Sequence, residues 1–99
     1  MKLQMHAVHF NADKDLLAFI QKKVDKLETF YDRFIEGEVF LRIDKREKRN
    51  NKIVEIRLHI PGNILFAKAQ KDSFEAATDQ VVESLRRQVI KSKEKQATY

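Results

Sequence analysis

Residues 53–70 read "IVEIRLHIPGNILFAKAQ". In the first half Val54, Ile56, Leu58 and Ile60 alternate with Glu55, Arg57 and His59, the period of two that sends apolar side chains to one face of a strand and polar ones to the other. Pro61-Gly62-Asn63 then breaks the pattern, because proline presets φ and glycine accepts a left-handed one, so the chain turns tightly. "ILFAKAQ" (64–70) resumes as a short fourth strand ending at Lys71. A hairpin with one apolar face demands a covering layer, and the flanking sequence supplies it.

Upstream, "EVFLRID" (38–44) alternates in the same way, with Val39, Leu41 and Ile43 on one face and Phe40 and Arg42 on the other. "KREKRNNK" (45–52) is too charged to bury and holds asparagines that tolerate left-handed conformations, so it is a polar turn. "MKLQMHAV" (1–8) is a further half-buried strand, Leu3, Met5 and Ala7 against Lys2, Gln4 and His6. Between these strands Asn11 or Asp13 caps a helix over about 13–30, whose stripe is Leu16, Leu17, Ile20, Val24 and Leu27. Downstream, Asp72 and Glu75 have the spacing of a capping box for a second helix. Its stripe is Phe74, Ala77, Thr78, Val81, Val82, Leu85 and Val89, leaving Asp79, Glu83, Arg86, Arg87 and Lys91 outside and Ile90 nearly opposite. The order β-α-β-β-β-α, with one apolar stripe per helix, predicts an α+β domain in which both helices cover the same face of a four-stranded sheet. Lys2, His6, Phe40, Arg42, Arg57, His59 and Lys68 then form a wet, basic opposite face.

With 99 residues, 42% hydrophobic content, two glycines and one proline, the chain is expected to be one compact domain over 1–95, followed by a short frayed tail at 96–99. No cysteine is present, which excludes disulfides and thiolate ligands and fits a reducing compartment. No apolar run approaches the ~20 residues of a membrane span, and the start is too short and polar for a signal peptide, so a cytoplasmic location away from membranes is expected. The net charge is +5, and its distribution says more than its size. Residues 42–52 carry six basic and two acidic side chains and residues 86–95 five basic and one acidic, so the rest of the chain is net acidic. Two concentrated basic segments are the footprint of a polyanion partner. Helix capping explains one or two cations at a helix C-terminus, at about 0.3–1 kcal/mol each, but not five in ten positions.

Catalysis finds no foothold. His6 and His9 point to opposite faces of an extended segment, and neither they nor His59 have the spacing of a metal or nucleophile pair, so no catalytic residue, metal or cofactor is assigned. Base stacking of the RRM kind needs exposed aromatics on central strands in a glycine-flanked context; only Phe40 and Phe66 are placed for it, and the strand order differs. Phe10, Phe19, Phe30, Tyr31 and Phe34 are read as core or helix-end packing. What remains is phosphate contact from two helices and a loop, a surface matching folded RNA by charge and shape. A generic double-stranded RNA-binding module, or a basic adaptor for an acidic protein partner, is the alternative.

"KLETFYDRF" after the first helix, a β-hairpin pair around "LRIDK", and "DSFEAATDQVVESLRRQVIKSKEK" together resemble the bacterial family of ribosome hibernation-promoting factors and ribosome-associated inhibitors. The resemblance spans essentially the whole chain and is most specific in the second helix. It implies a dsRNA-binding-like fold seated in the decoding channel of the small ribosomal subunit, where it blocks messenger and transfer RNA and silences translation in stationary phase or stress. Carried onto this chain, the implied rRNA contacts are Lys22, Lys23 and Lys26 of the first helix and Arg86, Arg87, Lys91, Lys93 and Lys95 of the second. Arg33 and the loop residues Lys45, Arg46, Lys48 and Arg49 form a secondary set. Because the sequence ends at Tyr99, it resembles the short members, implying a monomer off the ribosome that leaves any pairing of ribosomes to a separate dimerising factor.

Overall fold

The computed structural model describes the backbone of residues 1–97 and the side chains of residues 1–94. Its elements are β1 (Leu3–Ala7), α1 (Lys14–Asp25), a 3-10 turn (Lys26–Thr29), β2 (Glu36–Ile43), β3 (Lys52–Ile60), β4 (Asn63–Lys71) and α2 (Phe74–Ala97). The strands form one sheet in the order β1-β2-β3-β4, with β1 parallel to β2 and the remaining pairs antiparallel. The architecture is the α+β arrangement read from the sequence, with both helices on one face.

The turn between β3 and β4 forms as its composition requires: Ile60 pairs with Asn63, and Gly62 takes φ 78° after Pro61, the pattern of a type II turn. Every alternating residue of the hairpin falls on the anticipated side. Val54, Ile56, Leu58 and Ile60 are buried with Leu65, Ala67 and Ala69, and the helices close over them with Ile20, Val24 and Leu27 from one side and Phe74, Ala77, Val81, Leu85 and Val89 from the other. Phe10 stacks on Phe74 with ring centroids 5.3 Å apart, sealing the end where both helices begin.

Two local details differ from the expectation. The first helix changes to 3-10 at Lys26, so the segment read as one helix is two, with Leu27 still buried. The cap of α2 is Ser73, whose Oγ accepts the Ala76 N–H at 3.0 Å, while Asp72 turns away and accepts the Asn50 N–H at 2.7 Å. A serine one residue nearer the helix has the better geometry, and the aspartate serves the β2–β3 loop. The helix α2 extends to Ala97, and of the tail expected over 96–99, residues 98–99 lie outside the described residues. Of the helix-one caps considered, Asp13 is the one used, accepting the Asp15 N–H at 2.8 Å.

Strand β2 begins earlier than its alternation suggests because Gly37 lies between Leu3 of β1 and Leu58 of β3. A Cβ there would sit 2.7 Å from the Cδ2 of each leucine and 3.1 Å from the Arg57 carbonyl oxygen. Leu58 is wholly buried and has nowhere to go. Gly37→Ala should therefore cost about 1–3 kcal/mol through overpacking, lowering the thermal midpoint by circular dichroism at roughly 4–8 °C per kcal/mol. An unchanged midpoint would show that the leucines repack freely.

At the β4 edge, the Gln88 side-chain amide acts like a peptide unit of a fifth strand. Its Nε2 donates to the Phe66 carbonyl at 2.8 Å and its Oε1 accepts the Phe66 N–H at 3.4 Å. The edge is thereby occupied at its centre, one way a sheet is kept from pairing with other chains.

Candidate nucleic-acid interface

Both helices start at the end of the sheet that carries Ala7, Ile43 and Lys71, and run side by side toward the opposite end. Lys23 Nζ, 3.1 Å from Asp79 Oδ1, ties them together near the start of α2. Further along, Leu27 and Phe30 face Val82, Glu83 and Arg86, and beyond them Arg33 and Lys93 border one depression. Of the expected cations, Lys23, Lys26, Arg33, Arg86 and Lys93 border this groove. Lys22 stands on the exposed outer side of α1 beside Gln21 and Asp25, and Lys26 lies between that side and the groove.

The groove is not purely basic. Glu83 accepts two hydrogen bonds from the Arg86 guanidinium, 3.0 Å from Nε and 2.6 Å from its terminal nitrogen, and those bonds hold the Glu83 carboxyl below its ordinary pKa and raise that of Arg86. Both ends are solvent-exposed, so the pair positions the guanidinium more than it stabilises the fold. The Met1 ammonium lies 2.7 Å from Glu28 and 3.1 Å from Asp25, and its hydrogen bond to Glu28 raises its pKa. Two acids beside the lysine row are therefore partly neutralised by the N-terminal charge.

Helical geometry divides the α2 cations. At 100° per residue Arg86 and Lys93 fall on the flank toward α1 and Lys91 on the flank that carries Gln88 over β4, whereas Arg87 lies between the two flanks, pointing away from the sheet and near Glu83. The Lys95 side chain lies outside the described residues. A flat partner cannot touch both flanks equally; an irregular one that wraps the helix can.

Lys45, Arg46, Lys48 and Arg49 lie elsewhere. Their loop joins Ile43 to Lys52, beside Lys71 and Asp72, at the end of the sheet where the helices start, so it is separated from Arg33 and Lys93 by the length of the sheet. The two basic segments of the sequence do not merge into one patch. The loop is itself ordered by local bonds: Asp44 accepts from the Arg46 N–H and guanidinium, both at 3.1 Å, and Asn50 takes φ 51°. Those bonds lower the Asp44 pKa.

The open face of the sheet is less basic than its residue list suggests. Glu55 is only 6% exposed, beneath Arg42 and Arg57, which approach its carboxylate at 3.2 and 3.0 Å. Both guanidiniums also lie 5.6 Å from the Phe40 ring centroid, and His6 stacks on that ring at 5.0 Å. His59 is hydrogen-bonded to Glu38 at 2.5 Å. Alternation put Glu55 on this face correctly but says nothing of burial, because the shielding comes from long side chains on neighbouring strands.

One aromatic departs from the packing role assigned to it. Phe30, at the end of the 3-10 turn, stays 38% exposed, whereas Tyr31 is buried and meets Phe34 edge-on at 5.1 Å. Sequence alternation carries no signal for this, since a 3-10 turn shifts the register of the stripe.

Comparison with known proteins gives a consistent picture. The family model described as Sigma 54 modulation protein / S30EA ribosomal protein matches residues 3–97. A ribosome hibernation promoting factor of Pseudomonas putida is 28% identical over 96 residues, covering 97% of this chain and 90% of the relative. That of Escherichia coli K12 is 28% identical over 95 residues, covering 96% of each. That of Klebsiella oxytoca is 32% identical over 77 residues, covering 78% of this chain and 77% of the relative. Among solved structures, a ribosomal subunit interface protein from Coxiella burnetii superposes with a TM-score of 0.85 at 23% identity, covering 95% of this chain and 99% of that one. The N-terminal domain of Thermus thermophilus Protein Y gives 0.80 at 20% identity, covering 92% and 98%; at these identities the two likenesses speak for the fold. With nearly the entire sequence matched and the fold shared, the chain belongs to the Sigma 54 modulation protein / S30EA ribosomal protein family.

Proposed function

We propose that this protein is a ribosome hibernation factor that binds rRNA in the decoding channel of the small subunit, blocks messenger and transfer RNA there, and so inhibits translation in stationary phase or stress. The observation that carries the reading is the groove between α1 and α2, where Lys23, Lys26, Arg33, Arg86 and Lys93 converge from three separate segments. Lys23 and Arg86 are already paired with Asp79 and Glu83, so the charge left for a polyanion is chiefly that of Lys26, Arg33 and Lys93. The names of the full-length relatives support a ribosomal target. The proposed action is binding, in keeping with the names of those relatives. No helix among the described residues is long and apolar enough to cross a membrane, and the cytoplasm, where ribosomes work, is the proposed location.

Co-sedimentation of the purified protein with isolated ribosomal subunits tests this. Pelleting with the small subunit alone is expected, falling by about 10³–10⁵ in affinity between 50 and 200 mM salt if six to ten phosphates are contacted. Equal pelleting with both subunits would point to a generic double-stranded RNA binder. Binding to neither would favour the acidic-protein partner, whose interface responds less to salt.

A further inference from the structure

We propose that Phe30 is a stacking platform for an unpaired RNA base, so that the groove takes a looped-out or single-stranded nucleotide as well as duplex backbone. The inference rests on the rRNA reading above and adds a ligand class to it. Phe30 is a ridge between two depressions of mixed charge: one of about 290 Å³, bordered by Lys23, Lys26 and Arg86 with Asp79 and Glu83, and one of about 400 Å³, bordered by Arg33 and Lys93 with Glu28 and Asp32. It remains 38% exposed although a buried core lies directly beneath, at Leu27 and Tyr31.

Its surroundings match a nucleotide in both parts. The Arg86 guanidinium lies 5.9 Å from the ring centroid and is fixed by its two bonds to Glu83, so ring and guanidinium form a preorganised shelf. Cations on both sides supply phosphate contacts, while phosphate alone has no use for an aromatic ring. A base does, because every base offers a π-face. An acidic protein would satisfy the cations, but the combination of an exposed ring with flanking positive charge on either side is the arrangement of single-strand binding surfaces.

The test uses the whole chain with isolated small subunits and three proteins: unsubstituted, Phe30→Leu and Phe30→Trp. The chain has no tryptophan, so Phe30→Trp carries a single fluorescent reporter at the site. Stacking predicts that Phe30→Leu, which keeps apolar bulk but loses the π-face, binds about 5- to 150-fold more weakly with an unchanged salt slope and thermal midpoint. It also predicts that Phe30→Trp binds like the unsubstituted chain, with its fluorescence quenched on the subunit. If Phe30→Leu binds normally, or if it weakens binding while Phe30→Trp stays unquenched, the platform is overturned and the ribosomal reading stands. Failure of the unsubstituted chain to bind the small subunit would overturn both.

Discussion

Alanine at Arg86, Arg87 and Lys91 together should leave the fold intact and remove most of the affinity for the small subunit. None of the three side chains belongs to the buried stripe; Arg87 and Lys91 are exposed, and Arg86 is half-buried, its guanidinium against Phe30 and Glu83 at the surface. Each lost phosphate contact lowers the slope of log affinity against log salt by about 0.9, so three lower it by about 2.7. Taken from 1 M to 50 mM salt, that difference amounts to a loss on the order of 10³-fold. The division of α2 into two flanks makes the result more informative than a single number. Arg86→Ala tests the flank toward α1, Lys91→Ala the flank over β4, and Arg87→Ala the crest between them. If one flank alone faces rRNA, only its variant changes the slope; if the triple variant pellets as well as the unsubstituted chain, the binding surface is elsewhere.

The contrast between the helix groove and the β2–β3 loop shows what a charge count reads and what it does not. Both segments are comparably basic, and in the sequence they look like two halves of one footprint. The fold puts them at opposite ends, because antiparallel pairing of β2 with β3 fixes the loop beside Lys71, while α2 carries its cations away from that end along its own length. Periodicity identifies which face a residue occupies but not where along the molecule that face goes. The strands, the hairpin turn and the helix stripes were legible because they depend on local pattern, with period two or 3.6.

What escaped local pattern was set by contacts distant in sequence. Gly37 is a poor strand residue by itself, and it enters β2 because Leu3 and Leu58 fill the space its missing side chain leaves. Glu55 is a surface residue by alternation, yet Arg42 and Arg57 enclose it. Gln88 is unremarkable among the polar residues of α2, and its role appears only when β4 is found beneath it. For the candidate site the same division holds: the cationic rows followed from helical spacing, whereas the acids that hold Lys23 and Arg86, and the exposure of Phe30, depend on how two helices meet.

Leu85→Ala, one position from Arg86, should produce the opposite phenotype. Leu85 is fully buried where α2 crosses the sheet, and its truncation leaves a cavity costing about 2–5 kcal/mol, a large part of the 5–15 kcal/mol that holds a typical domain together. The consequence for binding is indirect. The C-terminal part of α2 continues past Val89, the last buried residue of its stripe among the described residues, and a helical segment of that length is marginal in water without its packed anchor. Loosening Leu85 therefore disorders the segment that presents Lys91 and Lys93 while removing no charge. Chemical denaturation should show a lower midpoint, and subunit binding should weaken with warming and recover on cooling, with the salt slope unchanged wherever the chain is folded. The Arg86 variant should do the reverse, with an unchanged denaturation midpoint and a reduced slope at every temperature. Two adjacent residues on one helix, turned 100° apart, then separate the packing that builds the groove from the charge that uses it.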